Sequence, residues 1–176
     1  TAIAINPEYP EPHYNLGNTL MTAMRYEEAI CSYTEYAALC DSFDECHSIF
    51  HYIGDCWVEM ENYDLALRSY AMAMRFDPKN PDYLYGHAVC CIEMKQYDEA
   101  MKDLDIVANE LPDFADIYFA KAQIYFSRNE LDKVGEQLIK GIEIDRNNVL
   151  AWFEYIKGQR DHSKMKWNTI IDINDK

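Results

Sequence analysis

Three short stretches decide the fold of this chain: Tyr26-Glu27-Glu28-Ala29, Tyr63-Asp64-Leu65-Ala66 and Tyr97-Asp98-Glu99-Ala100. A weaker fourth copy of the same pattern is Leu131-Asp132-Lys133-Val134. Consecutive copies start 37, 34 and 34 residues apart. Self-similarity at such a period indicates a repeat protein, in which each repeat is one supersecondary unit that packs on its neighbours.

When the repeats are aligned with one another, two further positions (columns of this alignment) recur with the same period. A small residue stands nine positions before each copy of the pattern, and proline closes three of the units. Where a fourth closing proline would fall, the chain has Arg146. Several independent columns that share one period strengthen the repeat interpretation. The small residues are Gly17, Gly54, Ala88 and Ala122, and the prolines are Pro7, Pro78 and Pro112.

Each repeat has the pattern of two amphipathic helices joined by a tight turn. In residues 47–60 the apolar side chains recur at the spacing of one helical face, and residues 63–76 repeat this spacing. Glu61-Asn62 is the predicted turn, and Pro78 ends the pair because proline lacks a backbone donor and restricts the residue before it. The sequence therefore predicts an all-α fold.

Charge and composition exclude several classes of function. The chain of 176 residues has 31 acidic and 16 basic side chains, a formal net charge of -15. We therefore expect no nucleic-acid or anionic membrane partner, since both are bound through Lys and Arg. The six cysteines match no compact disulfide framework, and no apolar run approaches membrane-spanning length, so a cytoplasmic location is expected.

The spacing of aromatic, small, Tyr, Ala and Pro residues resembles the tetratricopeptide repeat, and the best stretch is Tyr14-Asn15-Leu16-Gly17-Asn18 followed by Tyr26, Ala29 and Tyr33. The resemblance implies an α-α superhelix of about four helical hairpins plus a C-terminal capping helix. The implied domain covers 8–160, with repeats at about 10–43, 47–80, 81–114 and 115–148 and an extra helix at 149–160. Residues 1–7 are interpreted as the end of a preceding repeat helix and 161–176 as a tail or cap. Because the chain begins with Thr1 rather than Met, we expect it to be a piece of a longer protein.

In this family the first helix of each repeat lines a concave face along which peptides bind, which implies an adaptor, scaffold or chaperone. The expected ligand is an extended protein segment with apolar or Pro anchors, optionally flanked by Lys or Arg. Equivalent places hold a ladder of rings, and carboxylates form an acidic rim. The implied binding residues are Tyr14, Asn15, Asn18, His51, Tyr52, Asp55, Glu59, Tyr85, Val89, Glu93, Phe119, Gln123, Phe126 and Phe153.

Two subfamilies can be compared. Co-chaperones that grip a chaperone's C-terminal carboxylate use a clamp of two Lys, two Asn and one Arg. Here Asn18 matches, but the other four positions are Tyr14, Tyr52, Asp82 and Gly86, so this role is disfavoured. The region around His87-Ala88-Val89-Cys90-Cys91 is similar to small acidic chaperones of type III secretion translocators, and a chaperone role of that kind stays open.

The expected groove could also be closed to a partner. If residues 163–174 or a second copy of the chain filled it, the protein would be a structural or oligomerisation element.

The sequence gives little sign of catalysis or metal binding. Cys40, Cys46, His47 and His51 lie close in sequence, but their spacing fits no common zinc motif. No phosphate loop, nucleophile elbow or pair of catalytic carboxylates is found. We therefore expect no enzyme activity, no cofactor and no metal.

Overall fold

The computed structural model of the chain describes residues 9–42 and 46–145, which form helices connected by short turns. Within these residues there is no β-strand, and the helices contain 11 to 14 residues each. The all-α prediction is thereby confirmed. The helices are α1 (Pro10–Thr22), α2 (Tyr26–Leu39), α3 (Ile49–Glu59), α4 (Tyr63–Met74), α5 (Pro81–Glu93), α6 (Tyr97–Glu110), α7 (Ala115–Ser127) and α8 (Leu131–Ile144).

Neighbouring helices pack as hairpins inside two compact units. The first unit ends at Asp103 and the second begins at Leu104, so the boundary falls within α6. In the first unit α1 packs on α2 and α3 on α4, while α2 contacts α3 and both α3 and α4 contact α5. In the second unit α7 packs on α8. Successive hairpins thus follow the register of the sequence repeat.

The first helix of each hairpin ends in the same left-handed turn. At the first turn Met24 has φ 58°, and its N–H donates to the Met21 carbonyl at 2.9 Å. The Arg25 N–H donates to the Leu20 carbonyl at 2.9 Å, which satisfies two carbonyls of the helix end. Equivalent turns have positive φ at Glu61, Lys95 and Asn129. A three-residue connection therefore reverses the chain, and each second helix begins at the repeated Tyr or Leu.

The small residues of the first helices leave room for tyrosine rings of the second helices. A β-carbon on Gly17 would collide with the ring of Tyr33, and one on Gly54 would lie 2.7 Å from Tyr70. Tyr33 is 0% exposed and Tyr70 is 1% exposed. A β-carbon on Gly86 would come within 2.5 Å of Tyr70 from the following hairpin. At these glycines the backbone of one helix thus packs directly against a tyrosine ring of another.

In the second unit a glycine of the second helix makes room for a ring of the first helix. Phe119 on α7 is 0% exposed, and a β-carbon on Gly141 of α8 would lie 2.7 Å from its ring. Phe119 belongs to a buried cluster, so its assignment to an exposed ring ladder was wrong. The physical reason is the missing side chain of Gly141, which opens a space for the ring. The other buried members of this cluster are Ala115, Ala122, Val134, Leu138 and Ile142.

Several sequence-based expectations lie outside the described residues. These concern the segment 1–7, the extra helix 149–160 with Phe153 and the tail 161–176. Cys56 and Cys90 occupy equivalent positions of successive repeats, and both are 0% exposed.

Candidate functional site

Four partly buried rings form a continuous surface in the first unit, which we call the aromatic patch: Tyr14 of α1, Tyr36 of α2, and His51 and Tyr52 of α3. The ring centre of Tyr14 lies 5.6 Å from that of Tyr36 and 5.9 Å from that of Tyr52. Tyr52 in turn lies 5.3 Å from His51. The buried ring of Tyr33 stacks against Tyr52 at 5.8 Å. The patch is thus supported from inside the hairpins.

Hydroxyl groups link the patch across two hairpins. The Tyr14 hydroxyl donates to the Tyr52 hydroxyl at 3.4 Å. This hydrogen bond, together with burial, raises the pKa of Tyr52 to about 12, while bonds to Tyr52 and Asn18 lower the pKa of Tyr14. We expect the Tyr52 phenol to remain protonated at neutral pH, since its pKa lies above the value near 10 of an ordinary tyrosine. Neutral phenols at the edge of the patch can both donate and accept hydrogen bonds.

Beside the patch lie three carboxylates, which we call the acidic rim: Asp55 and Glu59 of α3 and Asp82 of α5. Asp55 Oδ1 accepts the Tyr70 hydroxyl at 2.7 Å, and its Oδ2 lies 3.4 Å from His51 Nε2. Burial raises the pKa of Asp55, and the negative charges of Asp82 and Glu59 add to that effect. Glu59 also accepts the Tyr26 hydroxyl at 3.1 Å.

The structure brings together one part of the predicted site. The ring of Tyr14 contacts Tyr52, and Tyr52 contacts His51. His51 in turn lies 3.4 Å from Asp55, and Glu59 follows one helical turn beyond Asp55. The rest are distributed along the helices. Asn15 and Glu93 are exposed, whereas Tyr85 and Val89 are half-buried. Asn18 accepts a hydrogen bond from the Tyr33 hydroxyl at 2.8 Å. Gln123 and Phe126 belong to the second unit.

Sequence reasoning left two residues out of the site. Tyr36 was missed because its column changes from Tyr to Ala73, Val107 and Gly141 in later repeats, so it shows no repeat signal. Asp82 was considered only as a clamp position. The clamp itself finds no support in the geometry, because Tyr14 and Tyr52 bond each other.

One ion pair is buried away from the patch. His87 Nδ1 lies 2.6 Å from Asp103 Oδ2, with side-chain exposures of 19% and 11%. Burial alone would lower the pKa of His87, but the bonds to Asp103 and Cys91 outweigh it and raise the pKa to about 10. Cys91 Sγ lies 3.7 Å from the same nitrogen and is 0% exposed. Asp103 and Cys91 both contact Nδ1 of His87, so the imidazole does not pass a proton from one of its nitrogens to the other between these two groups. We therefore interpret the His87–Asp103 pair as structural.

The cysteines have the features of packing residues. Burial raises the pKa of the Cys56 and Cys90 thiols to about 12, so they stay protonated at neutral pH. Among residues 9–42 and 46–145, no group of three or more His, Cys, Asp or Glu side chains is arranged to hold a metal ion. In the same residues no helix is both long enough and apolar enough to span a membrane.

Comparison with known proteins identifies the repeat. Two models of the tetratricopeptide repeat match the sequence, over residues 58–110 and 115–148. Hsp70-Hsp90 organizing protein 2 of Arabidopsis thaliana is 30% identical over 95 residues, which cover 54% of this chain and 17% of that protein. The crystal structure of MamA matches with a TM-score of 0.71 at 18% identity over 84% of each chain. YrrB, described as a TPR protein with an unusual peptide-binding site, matches with a TM-score of 0.58 at 20% identity, covering 88% of this chain and 95% of its own.

The paired helices and the repeated glycine–tyrosine contacts define a helical-hairpin repeat protein. With the two repeat models, they show that the chain belongs to the tetratricopeptide repeat family. The chain spans 17%, 20% and 27% of the length of three curated relatives that it matches, so it corresponds to a part of each of them.

Proposed function

We propose that this chain is a protein-interaction module that binds an extended segment of a partner on the aromatic patch and acidic rim of its first unit. The observation that carries the proposal is the continuity of partly exposed rings from three helices beside the rim. Repeat arrays commonly bind partners on surfaces assembled from successive repeats.

Tyrosine suits such a surface for a physical reason. Its ring offers a large contact area with few rotatable bonds, and its hydroxyl bonds the backbone of a partner at the rim of the contact. The rings of Tyr14 and Tyr52 are already held by neighbouring rings, so their ordering adds little entropic cost on binding. An extended segment would also leave its backbone groups available to these hydroxyls.

The test is a selection of random peptides displayed on phage against the wild-type chain. Selected peptides are then titrated against Tyr52→Ala and against Tyr125→Ala, a half-buried tyrosine of the second unit. Circular dichroism must first show that both variants are folded. We expect a loss of roughly tenfold or more with Tyr52→Ala, as for a truncated hot-spot residue, and none with Tyr125→Ala.

Two results would contradict the proposal. One is a selection that yields no binding peptide, and the other is equal affinity of the peptides for wild type and the Tyr52→Ala variant. Sedimentation of the unliganded chain tests self-association in parallel, because a dimer broken by Tyr52→Ala would assign the patch to a second copy.

A further inference from the structure

Charge and ring chemistry at the same surface suggest the kind of side chain that the patch accepts. We propose that the aromatic patch and the acidic rim bind an arginine side chain of the partner segment, with the guanidinium against the rings and its N–H groups on Asp55. This inference rests on the proposed function and makes it more specific. It concerns the first unit alone, where all the residues lie.

The first support is the electrostatic state of the rim. Asp55, Glu59 and Asp82 are close enough that the charges of the other two act on Asp55. None of the three is paired with a Lys or Arg side chain within the described residues, although Arg25, Lys102 and Lys133 each pair with an acid elsewhere. A cation from a partner would therefore relieve repulsion among these carboxylates rather than displace an existing ion pair.

The second support is the bonding of Asp55 itself. Its Oδ1 is held by the Tyr70 hydroxyl at 2.7 Å, which fixes the carboxylate, while its side chain remains 34% exposed. The remaining oxygen is 3.4 Å from His51 Nε2, a long and weak contact that a better donor can replace. A carboxylate that is fixed in position and still open to solvent is suited to a charge-assisted hydrogen bond.

The third support is the choice between arginine and lysine. The faces of aromatic rings attract cations, and a planar guanidinium can stack on a ring while its edge still donates hydrogen bonds. An ammonium group is more strongly hydrated and lacks this flat shape, so it gains less from the rings. The ring of His51 beside Asp55, continued by the rings of Tyr52 and Tyr14, therefore favours arginine.

The direct test uses three capped peptides that differ in one residue type. Each has a Gly-Ser backbone with two arginines, two lysines or two citrullines, and each is titrated into the wild-type chain by NMR. We expect the arginine peptide to bind roughly tenfold more tightly than the citrulline peptide and several-fold more tightly than the lysine peptide. The amides that shift should belong to α1, α3 and the start of α5.

A matched pair of variants separates the site from the general negative charge of the chain. Asp55→Asn removes the charge but keeps an oxygen for the Tyr70 hydroxyl, whereas Glu35→Gln removes one charge from an exposed position of α2. We expect Asp55→Asn to weaken the arginine peptide about tenfold and Glu35→Gln to change it less than twofold.

The outcomes distinguish this inference from the proposed function. Equal binding of arginine and lysine peptides, or equal losses in the two variants, would show a nonspecific charge effect and overturn the inference. Phage-selected peptides that need Tyr52 but contain no arginine would also overturn it, while the proposed function would stand. If no selected peptide depends on Tyr52, both fail together.

Discussion

Gly54 shows how one missing side chain fixes the contact between two helices. A β-carbon there would lie 2.7 Å from the Tyr70 ring, whereas a β-carbon on Gly135 would meet nothing within 4 Å. We expect Gly54→Ala to destabilise the chain, because overpacking costs roughly 1–3 kcal/mol and the better helix propensity of alanine offsets under about 1 kcal/mol. Gly135→Ala should instead stabilise by roughly 0.5–1 kcal/mol. Urea unfolding of both variants checks the pair, and destabilisation by both would contradict this account.

Met24 has a backbone conformation that its residue type disfavours. Its φ is 58° and its side chain is 76% exposed, so few contacts compensate for the left-handed geometry. We expect Met24→Gly to stabilise the chain by roughly 0.5–1 kcal/mol in thermal or urea unfolding. Asn129→Gly is the control, because asparagine tolerates φ near 60° and should gain much less. Equal gains at both turns would show that the residue type does not matter there.

At the scale of helix pairs, the buried contact between α5 and α6 differs from its equivalents. His87 and Asp103 occupy the columns that hold Ile53 and Ser69 in the preceding repeat, where Ser69 donates to the Leu65 carbonyl at 2.9 Å. We expect Asp103→Ser alone to cost roughly 1.5–3 kcal/mol, because it leaves His87 without its charged partner. His87→Ile with Asp103→Ser should restore most of this loss, since apolar packing often replaces a buried ion pair without cost.

The pH dependence of the same pair gives the measurement. The folded pKa of His87 is raised to about 10 from an unfolded value near 6.5. Its contribution to stability is therefore fully present below about pH 6.5 and is lost as pH rises through about 10. Denaturant unfolding of wild type and the double variant between pH 6 and 10 should show wild type losing its relative stability with rising pH. A difference that stays constant across this range would exclude a raised pKa of His87 in the folded state.

The hairpins also show how far the sequence determines the fold. The period, the helices and the turn at Glu61-Asn62 could be predicted because the repeat spacing specifies them. The place of Phe119 could not, because its burial depends on Gly141 of the facing helix. When each repeat position is considered separately, such a pairing of a large residue with a glycine on the facing helix is not visible. Tyr36 escaped the predicted site for a related reason, since its column has no constant residue type.

At the scale of the whole molecule, net charge affects folding and binding in opposite directions. The chain has 31 acidic and 16 basic side chains, and repulsion among the excess carboxylates opposes the compact state. The same net negative charge attracts cationic partners. About 0.15 M salt shortens the range of these forces to about 8 Å. The same added salt should therefore stabilise the chain and weaken its binding of a basic segment.

We expect Tm to rise by about 2–4 °C when NaCl is raised from roughly 10 to 150 mM, the shift that a gain of about 1 kcal/mol gives in a chain of this size. The arginine peptide should bind more weakly over the same range, because its attraction to the rim is screened. KCl should reproduce both effects, whereas sucrose at equal osmolality should leave peptide binding unchanged, since sucrose does not screen charge. If Tm stayed constant while peptide binding weakened, the negative charge would act at the rim but not on the stability of the fold. If both stayed constant, neither repulsion nor the acidic rim would matter, because screening acts on every exposed charge.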